Sequence, residues 1–401
     1  MSLNEERAGL PQKLIELDFE DGLRHDLQMT KTLRIDAVTG KMQERGWTQA
    51  HLAEQVGVSA QTVTNWLKGR DFPRPSALLK LAVTLGLGFE KLVDSGASSE
   101  PIIAFRKKAG AKTTDHHISK ARGIGQLLKP LVPVLPETRQ LRTLITSPSC
   151  EYGQLRKAVE QTRSELGIGQ HAVLSYNHLI GQFKKNAAIL VPVLWGKKGN
   201  HENALHIRLP EEDVTFIFLN LDVRLEDFKF WMAHELAHVY TPELAGTEEG
   251  EDFADAFAGA LLFPHECAES AYREACSQPK SALIGVLAGY ADHHQVSLYT
   301  VHQQVKRFAK QAGLPLLPME DKTIHQVRNS TAGPTVSDAL FDPAPPEAKN
   351  YISIASSVFQ SDFFTALERL VKEREVGAGY IQQILDAPLK DSVSLHRALA
   401  G

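Results

Sequence analysis

Two histidines four residues apart, with a glutamate between them, stand in the run Phe230-Trp231-Met232-Ala233-His234-Glu235-Leu236-Ala237-His238-Val239-Tyr240. On a helix, positions i and i+4 share a face, so His234 and His238 can each direct a ring nitrogen at one ion. Glu235 then projects beside that ion, where it can take a proton from water. Zinc lowers the pKa of a bound water towards neutrality, so a carboxylate suffices as base. A hydrolytic zinc also wants a third protein ligand and one open position. Shortly after His238, "GEDFADAFAGALLFP" places Phe253, Ala254, Phe257, Ala258 and Leu261 at helical spacing, with Glu251 and Asp255 at i and i+4. Glu251 can complete a His2Glu set, and Asp255 can accept a hydrogen bond from a ligand histidine. Glu248, Glu249 and Asp252 read instead as solvated acids at a helix N-terminus. The expected cofactor is one Zn2+ per chain. A satisfied pair of helix histidines is the plainer alternative, and it leaves Glu251 and Asp255 without a purpose.

A second constellation lies near the front, in "WTQAHLAEQVGVSAQTVTNWLKGRDFPRPSALLKLAVTLGL". Thr48 caps a helix whose apolar residues are Leu52, Ala53 and Val56, and Gly57 makes the tight turn. Ser59 caps a second helix with Val63 and Trp66 facing inward, and Gly69 ends it. Such a pair can lay its second helix in the major groove of DNA. The candidate DNA contacts are Gln49, Ser59, Gln61, Thr62, Thr64, Asn65, Lys68 and Arg70. Gln and Asn pair bidentately with adenine, while Lys and Arg reach guanine or phosphate. From Lys31 to Asp94 nine Lys/Arg face six Asp/Glu, a local basic excess in a chain of net charge -4. That overall charge excludes a wholly basic nucleic-acid coat.

The elements that must position these groups are mostly helical. Residues 225–240, 250–262, 281–293 and 297–313 carry helical spacing. "AAILVPVLW" (187–195), "NALHIRL" (203–209) and "VTFIFLN" (214–220) are β-rich, the last two reading as a hairpin. The expected fold is therefore mainly α with a small β-sheet (α+β). Its parts are an N-terminal extension (1–28), an all-α helix-turn-helix domain (29–95), a helical linker region (96–162), a domain that carries the candidate zinc site (163–318, a metallopeptidase domain by the resemblance given below), a linker (319–349) and a small helical C-terminal region (350–401). Three cysteines without a C-x-x-C pair point to a reducing compartment. The polar N-terminus is not a signal peptide and no run is long enough to span a membrane, so the expected location is cytoplasmic.

The front segment resembles the XRE (Cro/repressor-type) helix-turn-helix family, with "TQAHLAEQVGVSAQTVTNWLKG" as the matching core. It departs at Leu67, where that family often has an acid. "FKFWMAHELAHV" followed by "EDFADAFAGALLFP" is similar to the ImmA/IrrE metallopeptidases, with Asp255 where their Asn is usual. This resemblance implies a gluzincin-like architecture with an edge strand beside the cleft, for which "VTFIFLN" and "NALHIRL" are the candidates. It further implies a regulator that binds operator DNA, expected as a homodimer on double-stranded DNA, and cleaves a protein target such as a repressor. The alternative is a non-proteolytic regulator, or an antitoxin-like protein, that uses the peptidase-like domain to sense or bind a partner. Tyr240, Tyr290, His293, His294 and Tyr299 are open candidates for polarising a substrate carbonyl.

Overall fold

A computed structural model describes residues 32–94, 100–104, 115–136, 143–196, 203–330 and 333–401. The chain divides between Ala97 and Ser98 into two compact units. The expected extension 1–28 lies outside the described residues.

Among the described residues five helices build the front unit: α1 (Ile35–Glu44), α2 (Gln49–Val56), α3 (Ala60–Leu67), α4 (Pro75–Leu85) and α5 (Phe89–Leu92). Their ends are set locally. The Thr48 hydroxyl accepts the His51 N–H at 3.2 Å, and the Ser59 hydroxyl accepts the Thr62 N–H at 3.1 Å. Gly57 and Gly69 take left-handed φ of 77° and 64°. Beyond Gly69 the Arg70 N–H returns to the Asn65 carbonyl at 2.9 Å, which satisfies an open carbonyl at the end of α3. Leu52, Val56, Val63, Trp66, Leu81 and Leu85 meet in one small core. Strands β1 (Thr32–Leu33) and β2 (Val93–Asp94) pair antiparallel and tie together the two ends of the unit's described residues.

The second unit is mainly helical around one four-stranded sheet. Its strands are β3 (Ile102–Ala104), β4 (Ala188–Val193), β5 (Ala204–Leu209) and β6 (Val214–Asn220), in the order β3-β5-β6-β4. β5 and β6 form the expected antiparallel hairpin, with His206 opposite Ile217. β4 runs parallel to β6, and β3 pairs antiparallel with β5. The two strands proposed as edges are thus both interior: β6 lies between β5 and β4, and β5 is covered by β3. Around the sheet stand α6 (Asp115–Leu128), α7 (Tyr152–Glu165), α8 (Tyr176–Lys185), α9 (Leu225–Tyr240), α10 (Glu248–Leu262), α11 (His265–Cys276), α12 (Leu283–His294) and α13 (Leu298–Gln311). They are followed by α14 (Asp321–Ser330), α15 (Val336–Leu340), α16 (Ala348–Ser357), α17 (Phe363–Arg374), α18 (Ala378–Leu385) and α19 (Leu389–Ala400).

One continuous cluster of buried apolar side chains runs from Ala121 to Leu399. The segments read as a linker and a C-terminal region belong to it. Thr335 bridges to Arg224 just before α9, and the Ser337 hydroxyl donates to Asp222 at 2.7 Å. Tyr351 and Ser361 donate their hydroxyls to the carbonyls of Pro192 and Leu190, along the open side of β4. That edge is thereby closed by side chains, and Pro192 has no N–H to offer it. Phe363, fully buried, meets Phe216 of β6 edge-on at 6.5 Å. Phe363→Ala should therefore destabilise the second unit by roughly 3–5 kcal/mol, read from its denaturant midpoint. A loss under about 1 kcal/mol would show the tail to be dispensable to the core.

Candidate metal centre and DNA-facing helix

Helix α9 starts with Glu226 and Asp227, which suit the positive end of its dipole. Phe228, Met232, Leu236, Tyr240 and most residues between them are buried, so the helix is enclosed on nearly every side. His234, Glu235 and His238 are 0%, 2% and 1% exposed, which puts the polar trio inside the fold. Helix α10 follows after a short loop and begins at the Thr247 cap, whose hydroxyl accepts the Gly250 N–H at 3.0 Å. A β-carbon on Gly250 would lie 2.1 Å from the Leu244 carbonyl oxygen. Only glycine allows the loop to fold this tightly onto α10 and bring Glu251 to the histidines.

The three proposed ligands converge. His234 Nε2 and His238 Nε2 are 3.2 Å apart, and Glu251 carboxylate oxygens lie 3.4 Å and 3.3 Å from them. Two donors each about 2.0–2.1 Å from a tetrahedral ion stand roughly 3.3 Å apart, so the spacing between the two ring nitrogens, and from each of them to one of the two Glu251 oxygens, is that of ligands on one ion. The spacing of His234, His238 and Glu251 suits one metal ion, which on binding would displace the proton from His234 Nε2. Asp255 is where the sequence placed it: its carboxylate accepts from His234 Nδ1 at 2.9 Å, which leaves Nε2 for the ion. Burial works against a charged His234, but its hydrogen bonds to Asp255 and Glu251 outweigh it and lift the imidazole to about 9. Burial likewise opposes ionisation of Glu251, yet the two histidines pull its carboxyl down to about 2. Glu251 is thus kept as the carboxylate a metal requires.

One residue of the site had gone unrecognised. His206, on β5 and 1% exposed, places Nδ1 3.5 Å from Glu235 Oε2, and its ring meets that of His238 at 5.7 Å. Desolvation lowers its pKa, with Glu235 pulling the other way. The available signal was the alternation in "NALHIRL", where Leu205, Ile207 and Leu209 claim one face and His206 the other. The aromatic and histidine candidates for polarising a carbonyl are engaged elsewhere. Tyr240 donates to Gln182 at 3.0 Å, Tyr290 donates to Glu274 at 2.8 Å, and Tyr299 stacks on His325. His294 packs on Phe263, and the exposed His293 packs on His294.

In the front unit Gln61, Lys68 and Arg70 are exposed, and Asn65 is half-buried. Gln61 donates to Asn65 at 3.1 Å, one turn along α3. The remaining candidates hold the fold as well. Ser59 and Thr62 share the cap, their hydroxyls 2.7 Å apart, and Thr64 donates to Gln49 at 2.9 Å, joining α3 to α2.

Residues 41–92 match the helix-turn-helix family model, and residues 197–303 match that of the IrrE N-terminal-like domain. Comparison with curated proteins and with solved structures gives no match. No helix among the described residues is long and apolar enough to cross a membrane. The first match runs from the end of α1 through α5, and the second takes in β5, β6, α9 to α12 and the start of α13, so the front unit carries a segment similar to the helix-turn-helix family and the second unit a segment similar to the IrrE N-terminal-like domain.

Proposed function

We propose that this protein is a transcriptional regulator that binds operator DNA through α3 and cleaves a protein target, such as a repressor, with a zinc endopeptidase site. The observation that carries the hydrolytic part is Glu235. It is an acid enclosed at 2% exposure, with Oε2 3.5 Å from His206 Nδ1 and beside three donors spaced for a metal. A site that only bound a metal for structure would gain nothing from a second buried acid beside the donors.

His234, His238 and Glu251 would hold the ion, with Asp255 fixing the tautomer of His234. A zinc ion bound there supplies Lewis-acid polarisation of the scissile carbonyl and makes water acidic enough for a carboxylate base. Glu235 takes the proton of the attacking water and returns it to the leaving amine. His206 steadies Glu235 from the strand side. The protein works in the cytoplasm, in keeping with three free cysteines, two of them exposed.

On DNA, the Gln61, Asn65, Lys68 and Arg70 face reads a two-fold site as a dimer, with half-sites about 34 Å apart. Exposed Leu79 and Val83, one turn apart on α4, supply apolar surface for self-association. Gln61→Ala should cost roughly 1–3 kcal/mol at one base position. Lys68→Ala should weaken all sequences alike and reduce the salt slope by about one. Titration of the protein on its own promoter region checks both, and unchanged binding by both variants would rule out this face as the reader.

A further inference from the structure

An extended peptide that reaches a buried site beside a sheet must add to a strand edge, because its backbone N–H and C=O groups need partners. The strand next to Glu235 and His238 is β5, through His206. One edge of β5 is taken by β6, and along the other lies the chain's own Ile102–Ala104. We infer that β3 is a latency strand, occupying the β5 edge that substrate backbone must use, so that the site opens only when β3 is displaced. The inference rests on the peptidase reading of the site.

Three observations support it. The first is register: Ala104 stands directly opposite His206, and opposed residues of an antiparallel pair point to the same face. Ala104, 3% exposed, therefore lies on the face that carries His206 towards Glu235. The second is fit. A β-carbon on Gly246 would come 2.7 Å from the Ile103 carbonyl oxygen, and one on Gly125 would come 2.5 Å from the Pro101 ring. Gly246 belongs to the loop between α9 and α10, so β3 is seated against the segment that joins the histidine helix to the Glu251 helix. The third is strength. β3 is three residues long and is paired on one side only, and Ile102 and Ile103 are only half-buried. So short a ladder can be exchanged for a longer one of the same kind. Pro101-Ile102-Ile103-Ala104 also marks the substrate class: an extended polypeptide with β-branched apolar residues and a small residue on the face that carries His206.

The test uses the full-length, zinc-loaded protein, a labelled peptide of residues 100–106 (EPIIAFR) and unfolded casein. Ile103→Pro removes a backbone N–H and breaks the strand. It should bind the peptide and cleave casein at least about tenfold better than wild type, since a closed state lowers apparent affinity by the open fraction. Ile103→Ser keeps the N–H and guards against misfolding, and an intermediate gain is expected from it. Adding Glu235→Gln to Ile103→Pro should keep the peptide gain and abolish cleavage. A peptide gain without cleavage in any variant would uphold the latency strand while removing the peptidase reading. A folded Ile103→Ser protein with wild-type peptide affinity and wild-type amide exchange across 204–209 would overturn the latency strand.

Discussion

Glu235→Gln is expected to lower peptide hydrolysis by roughly 10²–10⁴-fold, the range of a lost general base, and to lie towards the upper end. The substitution keeps side-chain volume in a site where Glu235 is 2% exposed. It leaves His234, His238, Glu251 and their mutual spacing in place, so zinc content and DNA binding should stay near wild type. Cells carrying it should accumulate the uncut target and behave as a deletion for induction. The rival account, a regulator or antitoxin-like protein that cuts nothing, expects the same variant to regulate and to neutralise its partner like wild type. Wild-type behaviour in that assay would remove the catalytic role.

Chelation should lower the melting temperature of the second unit and leave the front unit unmoved. The three donors come from two helices, with His234 and His238 on α9 and Glu251 on α10, and a shared ion ties those helices together. At free zinc about 100–1,000 times the dissociation constant, mass action contributes roughly 3–4 kcal/mol to the folded state. Removing it should shift the second unit's transition in a calorimetric scan downward, while the transition from the front-unit core around Leu52 and Trp66 stays fixed. His238→Ala should show the low transition with or without chelator. Superimposable scans of wild type with and without chelator would deny the metal any part in holding the two helices.

The parts legible from the sequence were those whose signals are local. Thr48, Gly57, Ser59 and Gly69 each act within one turn of their own position, and the structure uses each as a cap or a turn. His234 and His238 are one helical turn apart, and Asp255 sits one turn beyond Glu251, so both pairs could be placed before any fold was known. The parts that escaped depend on distant partners. β3 is a three-residue run whose pairing partner lies about a hundred residues onward, too short to show a period. The Pro-rich stretch around Phe341 has the composition of a linker, yet Phe341 is 3% exposed and packs in the core. Local composition cannot report the sheet edge that Tyr351 and Ser361 close. His206 was missed for the same reason, since only the tertiary fold brings a lone strand histidine to Glu235.

The zinc content of the purified full-length protein, measured by elemental mass spectrometry after loading and desalting, bears most directly on the claim that His234, His238 and Glu251 form a hydrolytic metal site. One zinc per chain is predicted for wild type and for Glu235→Gln, with the metal lost from His238→Ala and from Glu251→Ala. A wild-type chain that retains no zinc, or a His238→Ala chain that retains as much as wild type, would contradict it.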